Sequence, residues 1–168
     1  AAGLILYRRN FESPAQLVAL LGTLEARLGR RLLVATDHEG GRVIMLGEGT
    51  TIFPDNLAVG SAGEPLFASR QGLIEARELR RLGVDLNLGP VLDVLTDRWS
   101  PNIGIRSYGM EPGIVSRFGV ARIQGMQTGG LATWALVQVT PRSSDASTSP
   151  ADVESHSRLP SRDAAPAI

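Results

Sequence analysis

Neither cysteine nor lysine occurs in the 168-residue chain, so all seventeen of its basic residues are arginine. The absence of cysteine excludes disulfide bonds, thiolate metal sites and a cysteine nucleophile. The absence of lysine excludes Schiff-base chemistry and any phosphate-binding loop that depends on a lysine. No run of about 18 apolar residues occurs either, so the sequence predicts no membrane-spanning helix.

Charge of either sign is also not in excess, since seventeen acidic residues balance the seventeen arginines. Nucleic-acid and anionic-membrane partners favour a surplus of positive charge, so neither is expected. Hydrophobic residues make up 43% of the chain and charged residues 20%, which is enough apolar surface for a folded core. The length is that of one ordinary domain.

The two ends of the chain differ from its middle. The chain opens already inside a predicted strand, with no initiator methionine and no visible signal peptide, so we expect that upstream sequence has been removed. We expect a cytoplasmic protein. Residues 141–168 are rich in serine, proline, alanine and arginine and contain no aromatic residue. This composition predicts a disordered tail and leaves residues 1–140 as the folded domain.

Between these ends, strand-like segments alternate with helical ones. Strands are predicted at residues 3–7, 31–36, 84–94 and 131–139, and the third of these is expected to split at Pro90, which cannot donate a ladder hydrogen bond. Helices are predicted to begin at Ser13-Pro14, Glu64-Pro65 and Glu111-Pro112. The second helix is expected to bury an apolar side made of Leu66, Leu73, Ile74, Leu79 and Leu82. A loop rich in glycine and threonine is predicted between the second strand and this helix.

This order of elements predicts parallel strands joined by right-handed crossovers, and hence an α/β fold. Polar residues cluster just after the predicted strands, where parallel α/β folds bind their ligands. The pattern fits either a doubly wound sheet or about the first half of a (β/α)8 barrel. No G-x-G-x-x-G motif follows a strand, which argues against a dinucleotide cofactor.

The sharpest local feature is the sequence Asp-His-Glu-Gly-Gly-Arg at residues 37–42, directly after the second predicted strand. Asp37 can accept two hydrogen bonds, as needed to hold neighbouring hydroxyl groups of a sugar. Arg42 is expected to pair with Asp37 or Glu39 and to keep them ionised. The alternative is an ordinary turn whose charges satisfy one another.

Two further places carry candidate functional side chains. Arg106 follows the third strand and suits a substrate oxygen or carboxylate, because its donors form a rigid fork; the alternative is a solvated loop arginine. His156 suits proton transfer near neutral pH, with Glu154 close enough to orient it; the alternative is an exposed tail histidine. The two histidines of the chain lie far apart and no cysteine accompanies them, so no metal site is predicted.

Five motifs occur in an order that is similar to a known family. They are residues 3–11 (GLILYRRNF), 37–43 (DHEGGRV), 89–94 (GPVLDV), 102–108 (NIGIRSY) and 125–133 (GMQTGGLAT). Together they resemble the N-terminal (β/α)8 domain of glycoside hydrolase family 3, and in particular its bacterial β-N-acetylhexosaminidases. The resemblance covers residues 1 to about 133 and implies a partial (β/α)8 barrel.

The resemblance implies a retaining glycoside hydrolase that removes terminal β-linked N-acetylglucosamine from fragments of peptidoglycan. It implies that Asp37 and Arg106 hold sugar hydroxyls in the first subsite. We expect Glu39, Arg42 and Asp93 to support them. The implied partner is a small carbohydrate substrate, with no cofactor. A β-glucosidase of the same family and a non-catalytic sugar-binding protein remain as alternatives.

Departures from the family pattern concern the catalytic residues. His38 stands where the family has glutamine, and Met45 where it has arginine. Residues 134–139 replace a family segment whose lysine and histidine bind the sugar. Glu154 and His156 look like a displaced form of an Asp-Ser-His sequence whose histidine is the general acid/base. The family's nucleophilic aspartate would lie beyond residue 168.

We therefore expect a fragment of such an enzyme, or the product of a disrupted reading frame. A complete barrel needs about 250 residues. A retaining mechanism needs both a carboxylate nucleophile and a proton donor, so we expect the chain to be inactive by itself. The open sheet edges of half a barrel also favour self-association.

Overall fold

The computed structural model describes residues 2–137, in which parallel strands alternate with α-helices. The strands are β1 (Gly3–Leu6), β2 (Leu33–Thr36), β3 (Leu86–Asn87) and β4 (Ala132–Thr133). The helices are α1 (Pro14–Leu28), α2 (Asn56–Ser61), α3 (Pro65–Arg81) and α4 (Pro112–Thr128). Short 3-10 turns occupy Arg8–Asn10 and Gly104–Arg106. The predicted tail at 141–168 lies outside the described residues.

The described strands form one parallel sheet in the order β1-β2-β3-β4, which confirms the α/β fold. Gly3 lies opposite Leu33, and Thr36 lies opposite Asn87. Strand order follows chain order without a reversal, whereas a doubly wound sheet reverses its order at a switch point. The described strands therefore do not have the doubly wound order.

The helices begin where the sequence predicts. Pro14 is the first residue of α1, and the Oγ atom of Ser13 accepts a hydrogen bond from the backbone N–H of Gln16 at 3.2 Å. Gly29 ends this helix with a φ of 65°, a left-handed conformation that suits glycine. Helices α3 and α4 each begin at the proline that marks them in the sequence.

The third and fourth strands are shorter than predicted. Of the predicted residues 131–139, β4 contains only Ala132 and Thr133, and residues 138 and 139 lie outside the described residues. The third region is divided, as expected from Pro90. Only Leu86 and Asn87 pair with both neighbouring strands, and the Gly89–Pro90 peptide that follows is cis. The chain rejoins the sheet at Val91, which forms a single bridge with Leu136. Proline cannot donate a ladder hydrogen bond, so the strand is interrupted where Pro90 enters.

Helix α2 lies in the segment that the sequence predicts to be a loop. It has six residues, of which Asn56, Val59 and Gly60 are buried. A Cβ atom at Gly60 would lie 1.9 Å from the backbone oxygen of Tyr108, so the helix packs closely on the chain that follows β3. A helix this short depends on tertiary packing rather than on its own propensity, so local sequence patterns do not reveal it.

The buried side of α3 agrees only in part with the prediction: Leu79 and Leu82 are buried as expected. Leu66 and Ile74 are 48% and 39% exposed, whereas Gln71 and Glu75 are buried. This side of α3 packs against α4 at close range, because a Cβ atom at Gly125 would lie 2.0 Å from the backbone oxygen of Ser69. Gly72 and Gly125 permit this close approach, and the buried polar side chains of Gln71, Glu75 and Arg122 lie beside it.

The main core lies between the sheet and the helices. Leu6 and Val34 of the strands pack with Leu17 and Leu21 of α1 and with Leu79 of α3. The other face of the sheet carries Ile5 and Leu33, which are 48% and 56% exposed. Within the described residues, no helix is both long enough and apolar enough to cross a membrane.

Candidate functional site

The site lies at the carboxyl end of the sheet, where the loop after β2 meets the 3-10 turn after β3. Arg106 donates from Nε to Oε2 of Glu39 at 2.7 Å and from Nη2 to Oε1 of Glu39 at 2.6 Å. The Glu39 residue is only 2% exposed, while a quarter of the Arg106 side chain reaches solvent. This two-pronged ion pair fixes the plane of the guanidinium group.

Two further contacts hold Arg106 in place. Its Nη1 atom donates to the backbone oxygen of Asn102 at 2.8 Å, and its own backbone oxygen accepts from Nδ2 of Asn56 at 2.8 Å. The hydrogen bonds to Glu39 raise the pKa of Arg106 further above its ordinary value. A guanidinium group has five N–H bonds. Hydrogen bonds within residues 2–137 use three of them.

Asp37 lies beside this pair with an unsatisfied acceptor. Its Oδ1 atom is buried and accepts no hydrogen bond from the described part of the chain. Burial, followed by the charge of Glu39, raises the pKa of Asp37 to about 6 against the opposing charge of Arg106. An unpaired buried acceptor is costly to the folded state.

Asp93 also lies at the site. It is 5% exposed, and its charge contributes to the raised pKa of Arg106. Its backbone oxygen accepts a hydrogen bond from Oγ of Ser107 at 2.6 Å, which ties the end of the β3 region to the turn that carries Arg106. The structure therefore brings Asp37, Glu39, Asp93 and Arg106 together.

Arg42 does not make the ion pair that the sequence predicts. Its side chain is exposed, and the partner of Glu39 is Arg106, which lies 67 positions away. Gly40 and Gly41 both have left-handed backbone angles, with φ of 89° and 56°, and they turn the chain between Glu39 and Arg42. The alternative of a turn whose charges satisfy one another does not describe Glu39, whose partner lies outside the turn.

His38 does not face the solvent side of the site. It is 0% exposed, and neither ring nitrogen has a hydrogen-bond partner within residues 2–137. Burial, followed by the charge of Arg122, lowers the pKa of His38 to about 4, so its ring is neutral near pH 7. Its backbone is held at both polar atoms by Asn87, whose Oδ1 accepts at 2.9 Å and whose Nδ2 donates at 2.8 Å.

Three residues that shape the site carry no signal in the sequence. Asn56 holds the backbone of Arg106, Asn87 holds the backbone of His38, and Arg122 donates to the backbone oxygen of Glu39 at 3.1 Å. None belongs to a spacing motif, and only their burial marks them. The described residues contain no group of three or more histidine or acidic side chains that could hold a metal ion. The candidates Glu154 and His156 lie outside the described residues.

Parallel α/β folds bind their ligands at the carboxyl ends of the strands, and this domain has its acidic and arginine side chains there. The model of the glycosyl hydrolase family 3 N terminal domain matches residues 1–137, so the chain belongs to this family. The match confirms the resemblance and extends it slightly beyond the five motifs.

Curated relatives agree with this assignment. A Beta-hexosaminidase from Bordetella avium is 41% identical over 137 residues, covering 77% of this chain and 39% of the relative. A Beta-hexosaminidase from Thioalkalivibrio sulfidiphilus is 42% identical over 139 residues, covering 79% of this chain and 40% of the relative. The chain thus spans about two-fifths of the length of these relatives.

Solved structures show the same similarity. A glycoside hydrolase family 3 beta-N-acetylglucosaminidase from Paenibacillus is 36% identical with a TM-score of 0.76, over 81% of this chain and 27% of that one. NagZ from Neisseria gonorrhoeae, solved with N-trifluoroacetyl-D-glucosamine, is 35% identical with a TM-score of 0.73, over 80% of this chain and 42% of that one.

Proposed function

We propose that residues 2–137 form the sugar-holding part of a retaining β-N-acetylhexosaminidase and bind a terminal β-linked N-acetylglucosamine. The observation that carries this proposal is the buried, unpartnered Oδ1 atom of Asp37 beside the Glu39–Arg106 ion pair. Adjacent hydroxyl groups of one sugar can donate to Asp37 and accept from Arg106. The names of the relatives support N-acetylglucosamine as the sugar.

The domain is about the first half of a (β/α)8 barrel in this proposal. A barrel sheet runs through its strands in chain order, and the order β1-β2-β3-β4 is consistent with that. The exposed Ile5 and Leu33 would then belong to the face that a complete barrel buries in its interior. The carboxyl ends of the strands, where Asp37 and Arg106 lie, would be the catalytic face.

This chain is expected to hold the sugar without cleaving the glycosidic bond. A retaining mechanism places a carboxylate nucleophile and a proton donor on opposite sides of that bond. Asp37 and Glu39 both follow the same strand, β2, and the carboxylate of Glu39 is already paired with Arg106. Glu154 and His156 are the proposed remnants of a proton donor. Release of product from a chromogenic N-acetylglucosaminide by the purified chain would disprove the inactivity.

The source of the sugar is proposed to be peptidoglycan fragments. The β-hexosaminidase names of the relatives support the sugar but not its aglycone, so the aglycone needs its own test. The affinity for a disaccharide of N-acetylglucosamine and anhydro-N-acetylmuramic acid can be compared with that for chitobiose. Stronger binding of the muramic acid compound supports a peptidoglycan source, and equal binding contradicts it.

Self-association of the chain is part of the same proposal. Ile5, Leu33 and Trp134 are 48%, 56% and 65% exposed, which is unusual for large apolar side chains. Strands β1 and β4 are at the ends of the described sheet and offer unpaired backbone groups. Sedimentation should show a dimer or larger species at micromolar concentration. An ideal monomer would contradict this expectation.

The binding proposal is tested by titrating the isotope-labelled chain with N-acetylglucosamine and, separately, with glucose. Saturable shifts at residues 37–42 and at Arg106 with N-acetylglucosamine alone support the proposal, whereas stronger shifts with glucose favour a β-glucosidase. Arg106→Gln should abolish the response. The matched control is Arg117→Gln, which removes an exposed arginine of α4 that is in none of the site contacts. No response of the folded wild-type chain to either sugar would disprove sugar binding.

A further inference from the structure

A fully buried ion pair lies behind the loop that carries Asp37 and Glu39. Arg122 of α4 donates from Nη2 to Oε2 of Glu75 on α3, and neither side chain has any exposed surface. Nε2 of Gln71 donates to the other carboxylate oxygen of Glu75 at 3.0 Å. The pair therefore links two helices at a place that is closed to water.

Stability is a poor explanation for this pair. Removing two charges from water is expensive, and apolar side chains of similar volume often give equal or greater stability at such sites. The cluster also contains two buried polar atoms without partners in the described chain, Nε of Arg122 and Oε1 of Gln71, which add to the cost. A contact that apolar side chains cannot make would explain the charges better.

Such a contact exists with the backbone of the site loop. Nη2 of Arg122 also donates to the backbone oxygen of Glu39 at 3.1 Å, and the backbone N–H of Glu39 donates to the oxygen of Val43 at 2.9 Å. Both backbone polar groups of Glu39 are therefore fixed. The side chain of this same residue holds the guanidinium group of Arg106.

Gly40 lets the loop lie directly against the ion pair. Its φ is 89°, and a Cβ atom there would lie 2.7 Å from Nε2 of Gln71 and 3.4 Å from Oε1 of Glu75. A larger residue would push the loop away from α3 and α4. The loop, the glycine and the two helices therefore form one tightly fitted arrangement.

We propose that Arg122 is a positioning residue for the sugar site, with Glu75 as its counter-ion. By fixing the Glu39 backbone, Arg122 directs the Glu39 carboxylate at Arg106 and sets where Asp37 meets the sugar. The consequence for sugar affinity rests on the proposed function. The consequence for the Glu39–Arg106 pair needs no ligand and can be measured by itself.

The test is the double variant Glu75→Leu/Arg122→Met of the full chain, which removes both charges together. We expect it to fold with a urea midpoint equal to or above that of the wild type. We also expect it to lose the slow solvent exchange of the Arg106 Nε–H proton that the Glu39 hydrogen bond gives the wild type. Its dissociation constant for N-acetylglucosamine should rise by about tenfold.

Two companion variants separate positioning from general stability. Arg80→Met/Asp85→Asn removes another ion pair of α3, at the amino end of the sheet, and should leave both the Arg106 proton and sugar affinity unchanged. Arg122→Lys keeps the charge beside Glu75 but loses the fork of donors, and should weaken the Arg106 signal while the chain stays folded. It decides the matter even where the double variant unfolds.

The outcomes are distinct. A folded double variant that keeps the slow Arg106 proton overturns the proposal, and so does an Arg122→Lys variant with an unchanged proton. Rapid solvent exchange of the Arg106 Nε–H proton in the wild type would also overturn the proposal. A wild-type chain that does not bind N-acetylglucosamine overturns the proposed function, while the Arg106 proton still decides on positioning.

Discussion

Asp37 and Asp85 lie at opposite ends of the sheet, and their carboxylates have opposite surroundings. Asp85 precedes β3 and accepts hydrogen bonds from Nη2 of Arg31 at 2.7 Å, from Nη1 of Arg80 and from the backbone N–H of Val34 at 3.1 Å. Burial alone would raise the pKa of Asp85, but these hydrogen bonds and charges lower it overall. Its acceptors are satisfied within the protein.

Asp37 follows β2, and its carboxylate has different hydrogen-bond partners and charges around it. Its Oδ1 atom is buried without a partner in residues 2–137, and its pKa is raised to about 6. The charge of Arg106 acts on Asp37, but Nε and Nη2 of Arg106 donate their hydrogen bonds to Glu39. An arginine nearby therefore does not decide what an aspartate does. What matters is which acceptor receives the donated hydrogen bonds, and at the carboxyl end of the sheet Oδ1 of Asp37 receives none from residues 2–137.

The largest expected effect is a loss of sugar affinity in a variant of Asp37, which should not occur in a variant of Asp85. Asp37→Asn should weaken N-acetylglucosamine binding by about 1.5–3 kcal/mol, or roughly tenfold to a hundredfold, because it removes a charged acceptor. The free energy of unfolding should stay the same or rise, since the buried charge is lost. Calorimetric titration and urea unfolding measure both quantities. Unchanged sugar affinity in a folded Asp37→Asn variant would break the contrast.

Asp85→Asn should show the reverse behaviour. It weakens the ion pairs with Arg31 and Arg80, and we expect the free energy of unfolding to fall by about 1–2 kcal/mol. Sugar affinity should not change, because Asp85 lies at the end of the sheet away from the site. Urea unfolding measures the first effect and titration the second. A loss of sugar binding in the folded variant would contradict the account.

The two aspartates should also give opposite dependences of stability on pH. The folded pKa of Asp37, about 6, lies above the ordinary 3.8, so its stabilisation is complete below pH 3.8 and is lost as pH rises through about 6. The folded pKa of Asp85 lies below 3.8, so its stabilisation is present above that pH and is lost on further acidification.

Urea midpoints measured from pH 3 to pH 8 check this opposition. Asp37→Asn should remove the fall in stability between about pH 4 and pH 6 and leave the loss at lower pH intact. Asp85→Asn should do the opposite. An Asp37→Asn variant that keeps the fall between these pH values would show that another group causes it.

The smallest expected effect comes from the cap of α1. Ser13→Ala removes the acceptor for the N–H of Gln16, and should lower the free energy of unfolding by about 1 kcal/mol. Sugar affinity should stay at the wild-type value, although α1 begins at the same end of the sheet as Asp37. Thermal unfolding and titration measure the two effects. Weaker sugar binding here would mean that affinity simply follows stability.

Sequence patterns predict the long helices and the order of the strands well, and the lengths of β3 and β4 poorly. The starts of α1, α3 and α4 follow from proline at the first helical position, and the end of α1 follows from Gly29. Strand lengths depend on which backbone groups find partners in distant segments, so β3 came out far shorter than its apolar run. Helix α2 was not predicted, because its packing against Tyr108 stabilises it and its own sequence has no helical pattern.

The site is only partly predictable for a related reason. Residue types point to Asp37 and Arg106 separately, and the family resemblance assigns them one task. The partner of Glu39 could not be derived, because Arg42 is three positions away and Arg106 is 67. Glu75 and Arg122 are charged residues among the apolar residues of α3 and α4, and no sequence pattern marks them as buried. Their burial depends on the packing of α3 against α4.

The most direct test of the account is the affinity of the folded full-length chain for N-acetylglucosamine, measured side by side for wild type, Asp37→Asn and Asp85→Asn. The account predicts saturable binding by the wild type, equal binding by Asp85→Asn, and binding weakened at least about tenfold in Asp37→Asn. No binding by the folded wild type, or equal binding by all three proteins, would contradict it.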